Sequence, residues 1–428
     1  MAESLHTSVS TGRLNARILL AIVAAAVALK LAVFFISIGT SMTFSFPSSE
    51  SWQDFSLAYV PAVDAFKSGF LPYIGFFYPY PPLFLYALTL FSYLPLPSWS
   101  SAIPLVLGDA LTVIPVYLIA REVVNERFAV ITSLAFLLAP INLFYVDYLW
   151  LNPPLTTLFL MVSIYLLIKG RYGWSATSLA AAVCFKQTAL IALPILLLVV
   201  WRRSNGRREP LRYFAVVALT CFAVSIPYIL INPLLYLVLM FRVPPNLWSG
   251  ALPSSYWTVG VGTGTPITID TLNPITSRWD AVVQGMINAP VTLGLPFFIF
   301  VVPSTLAWVY SSPGYSDFGW VLLLAAFVFL LYKLQKRKGL MEADSIRYIA
   351  YGLLLFFALY PAYKYYAVGV VPLFAVLSRS KWDVLAFAIF NVGLILVPRY
   401  FASWAILAPL LWLLREDIPW PRLGFRGK

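Results

Sequence analysis

Histidine occurs once in this chain of 428 residues, cysteine twice, and acidic residues only 17 times. The single histidine is His6, so every later loop lacks imidazole, and carboxylates are too few and too widely spaced to suggest a divalent-metal cluster. No metal or cofactor is therefore expected. Cys184 and Cys221 both fall inside apolar runs, which argues against a disulfide framework or a thiolate metal site. Charge is scarce as well. Only 11% of residues are charged against 61% hydrophobic, and the mean hydropathy of +0.84 excludes an ordinary soluble globular domain.

What is present is a succession of apolar runs from Arg17 to Arg415, each near the 20 or so residues that a bilayer crossing needs. The pattern predicts an all-α, polytopic transmembrane helical protein with about 11 to 13 membrane segments in one domain over residues 1–428. The net charge of +12 sits in short clusters between the runs, where it sets orientation and meets anionic headgroups; membrane lipids are implied as partners, and nucleic acid is not. The first run, 18–38, follows Arg13 and Arg17 and is longer than a signal-peptide core, so it is expected to be retained with its N-terminal end in the cytoplasm. Residues 39–100 then form a first external loop and 232–285 a second, rich in Pro, Gly, Trp and Thr. Between them, 174–201 is too long for one span and carries Arg171 before it and Arg202, Arg203, Arg207 and Arg208 after it. A helical hairpin with Phe185, Lys186 and Gln187 at its external tip fits. Counting every run as a crossing puts the C-terminus outside, against the basic tail of Arg422, Arg426 and Lys428. Either 287–309 lies in the interface or 81–97 enters the membrane without crossing.

Because carboxylates are rare, Asp54 and Asp64 early in the first external loop draw notice. A carboxylate at a membrane surface can take the proton of an attacking hydroxyl, which is general-base catalysis. The competing reading is that Asp54 caps an interfacial helix. Ten residues separate Asp54 from Asp64, about three helical turns, so one site need not hold both. Asp109 sits inside an apolar run with no sequence-local partner, which favours an architectural role. Gly260, Gly262 and Gly264 lack the preceding strand and following Gly-Lys-Ser/Thr of a phosphate loop, and read as a flexible segment. Most of the aromatic content fits interfacial belts, while loop rings such as Trp52, Tyr73, Trp150, Trp248 and Trp257 could also stack on sugar faces.

Asp54 just after the first helix, followed by Tyr59, Gly69-Phe-Leu-Pro72-Tyr73 and Tyr80-Pro81-Pro82-Leu83, resembles the first external loop of the GT-C glycosyltransferases. Gly108-Asp109 to Pro115, Phe185-Lys186-Gln187 with Pro194, and Phe241-Arg242 with Asn246 and Trp248 are similar, in the same order, to segments of the dolichyl-phosphate-glucose-dependent glucosyltransferases of lipid-linked oligosaccharide assembly. The Phe-Lys-Gln segment is the most specific of these. Where eukaryotic members carry His-Glu-Lys, this chain has Lys364-Tyr365-Tyr366, and around Asp147 it lacks their histidine-rich pattern.

The resemblance implies transfer of a hexose, glucose or mannose, from a polyprenyl- or dolichyl-phosphate sugar to a lipid-linked glycan, with inversion and with Asp54 as base. It implies an active site on the non-cytoplasmic face of an integral, multi-pass membrane protein. Lys186 is the expected phosphate ligand, since a cation among apolar residues usually has a partner; the alternative is that it snorkels to the interface. Arg242 and Lys364 are secondary phosphate candidates, for which a plain orienting charge is an equal alternative, and Lys186 and Lys364 are expected to converge on one phosphate. Gln187, Tyr365, Tyr80, Asp64 and Asp147 complete the expected substrate-binding set. A protein-directed mannosyltransferase, a secondary transporter and a noncatalytic scaffold are the remaining classes; two long aromatic loops with an early carboxylate are not what a transporter requires.

Overall fold

The computed structural model describes residues 15–41, 54–73, 78, 80–204, 206, 208–231, 233, 236, 313–337, 342–359, 364–397 and 402–415. In chain order the helices are α1 (Ala16–Gly39), α2 (Val60–Lys67), α3 (Pro82–Ser92), α4 (Ile103–Val123), α5 (Glu126–Leu137), α6 (Pro154–Ile168), α7 (Tyr172–Phe185), α8 (Leu193–Arg203), α9 (Arg208–Ile231), α10 (Pro313–Lys336), α11 (Glu342–Leu359), α12 (Val371–Leu377), α13 (Lys381–Leu396) and α14 (Ala402–Leu414). Short π and 3-10 turns join several of them, notably Phe55–Tyr59, Leu143–Tyr148, Gln187–Ala192 and Lys364–Val370. The protein is an all-α polytopic transmembrane helical protein. Ala16–Gly39, Ser98–Val123, Glu126–Tyr148 and Arg208–Ile231 are each long and apolar enough to cross a membrane by themselves.

Large apolar side chains stand exposed along the outer helices, including Leu20 of α1, Leu211, Leu219 and Leu230 of α9, and Ile389 of α13. Helices apolar on all sides are stable only where the surroundings are apolar too, so these faces meet lipid. An apolar groove of about 840 Å³ between α8, α9 and α10 opens on the same flank, lined by Leu197, Trp201, Phe214 and Leu331 among others.

Contacts between helix ends set the direction of each segment. At one end Lys169 pairs with Glu122 at 2.7 Å, Arg203 donates to the Leu167 carbonyl, Arg202 to the Leu334 carbonyl, and Arg415 pairs with Asp383 at 2.6 Å. At the other end Thr40 meets Tyr148 at 2.8 Å, Lys186 meets Asn152, and Tyr365 meets Asp54. The first end is basic; the second holds the candidate site. α7 rises from the basic end and α8 returns to it, which makes 174–201 a helical hairpin with Lys186 at its tip. α3 spans only 11 residues, about 16 Å, and it starts from Tyr80 in the site and leads to α4, which starts at the site end. It therefore does not cross, and the described chain begins and ends at the basic end. The run 287–309 lies outside the described residues.

Past Arg17 in its first turn, the first helix carries one charge, Lys30, and that charge is buried completely. Lys30 Nζ lies 2.6 Å from Asp109 of α4 and 2.7 Å from Asp147 in the π turn after α5. Asn142 donates to the other oxygen of Asp109 at 2.6 Å, and the Phe136 ring lies 5.9 Å from the ammonium. Three segments are thus clamped by one ion triad. Asp109 has its partner in the first helix rather than in an external loop. Asp147, expected in a loop as a substrate ligand, is fully buried among helices instead, because the chain winds into a π turn that aims it at Lys30. Gly108 lets α6 approach α4 closely, since a Cβ there would meet Leu155 Cδ2 at 2.8 Å.

Removing one member of a buried ion cluster leaves the others without a counter-charge, which costs about 3–5 kcal/mol. Lys30→Met is expected to lower the thermal midpoint in detergent strongly, and adding Asp109→Asn with Asp147→Asn should recover most of the loss.

Candidate active site

The site is built where the chain leaves α1, enters α6 and turns between α7 and α8. Asp54 precedes the π turn Phe55–Tyr59 and makes no capping hydrogen bond with its side chain, so helix capping does not account for it. Tyr365 donates its hydroxyl to Asp54 Oδ2 at 3.3 Å, joining residues 311 apart in sequence. Lys186, with extended backbone between α7 and its 3-10 turn, is buried and lies within electrostatic reach of Asp54. Its ammonium donates to the Asn152 carbonyl at 3.2 Å and sits over two rings, 3.7 Å from the centroid of Tyr366 and 5.2 Å from that of Tyr365. Such ring contacts attract a desolvated cation by about 2 kcal/mol. Lysine is held there by apolar and aromatic walls with a carboxylate close by, and it does not reach to an interface as a snorkelling side chain does.

Backbone strain marks the turn that supplies Asn152. Trp150 has φ +56°, the left-handed region that a bulky side chain rarely adopts, at a cost of about 1–3 kcal/mol. The turn is held by several bonds: Trp150 N–H donates to the Val146 carbonyl, Leu151 N–H to the Tyr145 carbonyl, and the Trp150 indole to the Asp147 carbonyl. Phe34 and Phe55 pack on the indole with centroids 5.1 and 4.9 Å away. At the end of this turn Asn152 N–H donates to the Tyr59 hydroxyl at 3.4 Å. Tyr59, Tyr80 and Phe84 stack edge to face, and Tyr73 donates to the Tyr80 carbonyl at 2.6 Å, which fixes the floor beside Asp54. Asp54, Tyr80, Lys186 and Tyr365 are therefore gathered together, with Gln187 next in chain to the lysine and half-buried.

Other expected residues fall elsewhere. Lys364 is fully buried, but its ammonium donates to the Ile395 carbonyl at the end of α13 at 3.4 Å, while the neighbouring Tyr365 and Tyr366 turn to Lys186. Asp64 is exposed on α2. Arg242, Trp248, the glycine-rich segment at 260–264 and the whole loop 232–285, apart from residues 233 and 236, lie outside the described residues. Among the described residues, no group of three or more His, Cys, Asp or Glu is placed to hold a metal ion. Sequence reading passed over Lys30, Tyr366 and Asn152. For Lys30 a signal existed, since one charge in an otherwise apolar first run demands a partner; for Asn152 none did.

Residues 105–244 match the family model of the ALG3 protein, a family of dolichyl-phosphate-mannose-dependent mannosyltransferases of the GT-C class. The matched third of the chain contains Gly108–Pro115, the Phe-Lys-Gln tip and Arg242; Asp54 and Lys364 lie outside it. The resemblance to GT-C enzymes thus holds, with the mannosyl family in place of the expected glucosyl one. No curated protein matches the chain. Among solved structures, the oligosaccharyltransferase of Archaeoglobus fulgidus in its apo form is similar at 16% identity and a TM-score of 0.45, covering 94% of this chain and 58% of that one. The same archaeal enzyme in complex with an inhibitory peptide and a dolichol-phosphate is similar at 16% identity and a TM-score of 0.41 over the same shares. The chain spans a little over half the length of the solved structures it matches.

A hydrogen bond to a charged group is worth about 1.5–3 kcal/mol, so Tyr365→Phe is expected to slow the reaction by about tenfold or more through a less firmly oriented Asp54. The thermal midpoint should stay near that of the unaltered protein; the two measurements together separate a local effect from unfolding.

Proposed function

We propose that this protein is a membrane glycosyltransferase that moves a mannose from a polyprenyl-phosphate carrier to a lipid-linked glycan. The observation that carries the reading is a carboxylate, Asp54, within electrostatic reach of a buried and aromatic-caged ammonium, Lys186, at one end of a helical bundle. The match of residues 105–244 to the ALG3 family supports mannose over glucose. Net positive charge at the opposite end supports a cytoplasmic setting for that end and a site on the other face.

In this reading the acceptor hydroxyl attacks the anomeric carbon from the side away from the phosphate. Asp54 takes the hydroxyl proton, the new glycosidic C–O bond forms, and the old bond from carbon to phosphate oxygen breaks with inversion. The electron pair leaves on the polyprenyl phosphate, whose charge grows as the bond lengthens. Lys186 has three donors, one of them on the Asn152 carbonyl, and it stabilises that growing charge in surroundings poor in water. No redox step or metal enters the balance. Arg242 stands as a further phosphate contact in the same reading, and Gln187 as a neighbour of the lysine, whereas Lys364, bonded to the Ile395 carbonyl, takes no part in it. The exposed flank of α9 and the apolar groove beside it suit the long tails of donor and acceptor.

Loss of a general base costs about 100-fold to 10,000-fold. Asp54→Asn is expected to reduce transfer from polyprenyl-phosphate mannose by that factor in purified, folded protein, and near-normal turnover would exclude the role. Orientation is open to single-cysteine labelling in a background free of Cys184 and Cys221: positions 68 and 203 should react from opposite sides of the membrane.

A further inference from the structure

Asn152 is fully buried, yet neither its side-chain oxygen nor its side-chain nitrogen has a hydrogen-bond partner. Thr156, one helical turn on and also buried, has an unpartnered hydroxyl as well. Buried polar groups are almost always bonded, because leaving them bare forfeits their hydration without return. Asn152 lies just before α6 and Thr156 in its first turn, so both unpartnered groups belong to the start of that helix. Their place is what singles them out. The backbone of Asn152 is the junction of the site: its carbonyl accepts from Lys186, and its N–H donates to Tyr59, beside Asp54. Pro153 and Pro154, which follow, cap α6 with no side-chain bond and supply no N–H to answer the carboxamide. The Thr157 hydroxyl, by contrast, is satisfied by the Pro153 carbonyl at 3.1 Å.

A carboxamide and a hydroxyl each donate and accept. Phosphate oxygens ask only for donors, and the ammonium of Lys186 already serves them. Sugar hydroxyls ask for both. We propose that Asn152 and Thr156 form the subsite that binds the transferred sugar, with the Asn152 carboxamide on the hydroxyl at C2. The assignment rests on the donor proposed above: if Lys186 holds the phosphate, a residue bonded to that ammonium lies next to the anomeric carbon, and C2 carries the nearest hydroxyl. Mannose and glucose differ only in the configuration at C2, so this contact would choose between them.

The test compares three donors, polyprenyl-phosphate mannose, its 2-deoxy analogue and polyprenyl-phosphate glucose, with unaltered protein, Asn152→Leu and Thr156→Val. A site that bonds a substrate hydroxyl rejects the analogue lacking it by up to about 10,000-fold, so in the unaltered protein we expect the 2-deoxy donor to lose at least about 100-fold in kcat/KM. Asn152→Leu should lose activity with the mannose donor by a similar factor and then show almost no difference between the mannose and 2-deoxy donors. Thr156→Val, which keeps the side-chain shape, should shrink the same ratio and serves where Asn152→Leu does not fold. Stability without substrate gives an independent readout: removing unpaired polar atoms should leave the thermal midpoint unchanged or raise it. A variant that keeps the full discrimination at C2 overturns the subsite while leaving the transferase reading intact, as does a fall in thermal midpoint with discrimination preserved. Unaltered protein that transfers from none of the three donors removes the proposed function, and this inference with it.

Discussion

Everything at the site end depends on one lysine that has nowhere else to go. Lys30 cannot reach water from the middle of α1, and its charge is tolerable only between Asp109 and Asp147. That demand fixes the rotation of α1 against α4 and pulls the π turn after α5 into the bundle. From Asp147 the chain runs directly into the strained turn at Trp150 and on to Asn152, whose carbonyl holds Lys186. The architectural charge cluster and the candidate active site are thus two ends of one short segment, residues 147–152.

Two of the buried lysines, Lys30 and Lys186, have opposite settings. Lys30 is surrounded by formal negative charge and is locked, while Lys186 has one carbonyl, two aromatic faces and a more distant carboxylate. An ammonium so incompletely matched keeps donors for an incoming anion, which is what a phosphate leaving group requires. Strain at Trp150 and the bare carboxamide of Asn152 tell the same story, for both are costs retained in a place where the surrounding packing is otherwise complete.

Much of the bundle was legible in the sequence. The 174–201 hairpin could be read because clusters of arginine flanked a run too long for one span, and Arg203 does return to the level of Leu167. Parity left two alternatives, 287–309 in the interface or 81–97 entering without crossing; α3 has only 11 residues, which fits the second, and 287–309 lies outside the described residues. Asp147 was misplaced because a π turn carries no compositional signature: Tyr145-Val-Asp147-Tyr148 reads equally well as a polar loop or as a tight inward wind. Lys364 was drawn to the phosphate by its position in the chain, yet a single residue's change of direction sends Tyr365 into the site and the lysine toward α13.

By itself the sequence determined the solvent of this protein, the basic end of its bundle and the segment that carries Lys186, because hydropathy and charge are properties of contiguous residues and need no knowledge of what lies across the bundle. Tertiary structure alone decided the pairings: Lys30 with Asp109 across 79 residues, Asp54 with Tyr365 across 311, and the isolation of the Asn152 carboxamide. Which polar groups meet inside a membrane depends on how helices rotate about their own axes. That rotation is set by packing and by the few charges that must find one another, so it becomes visible only when the helices are assembled.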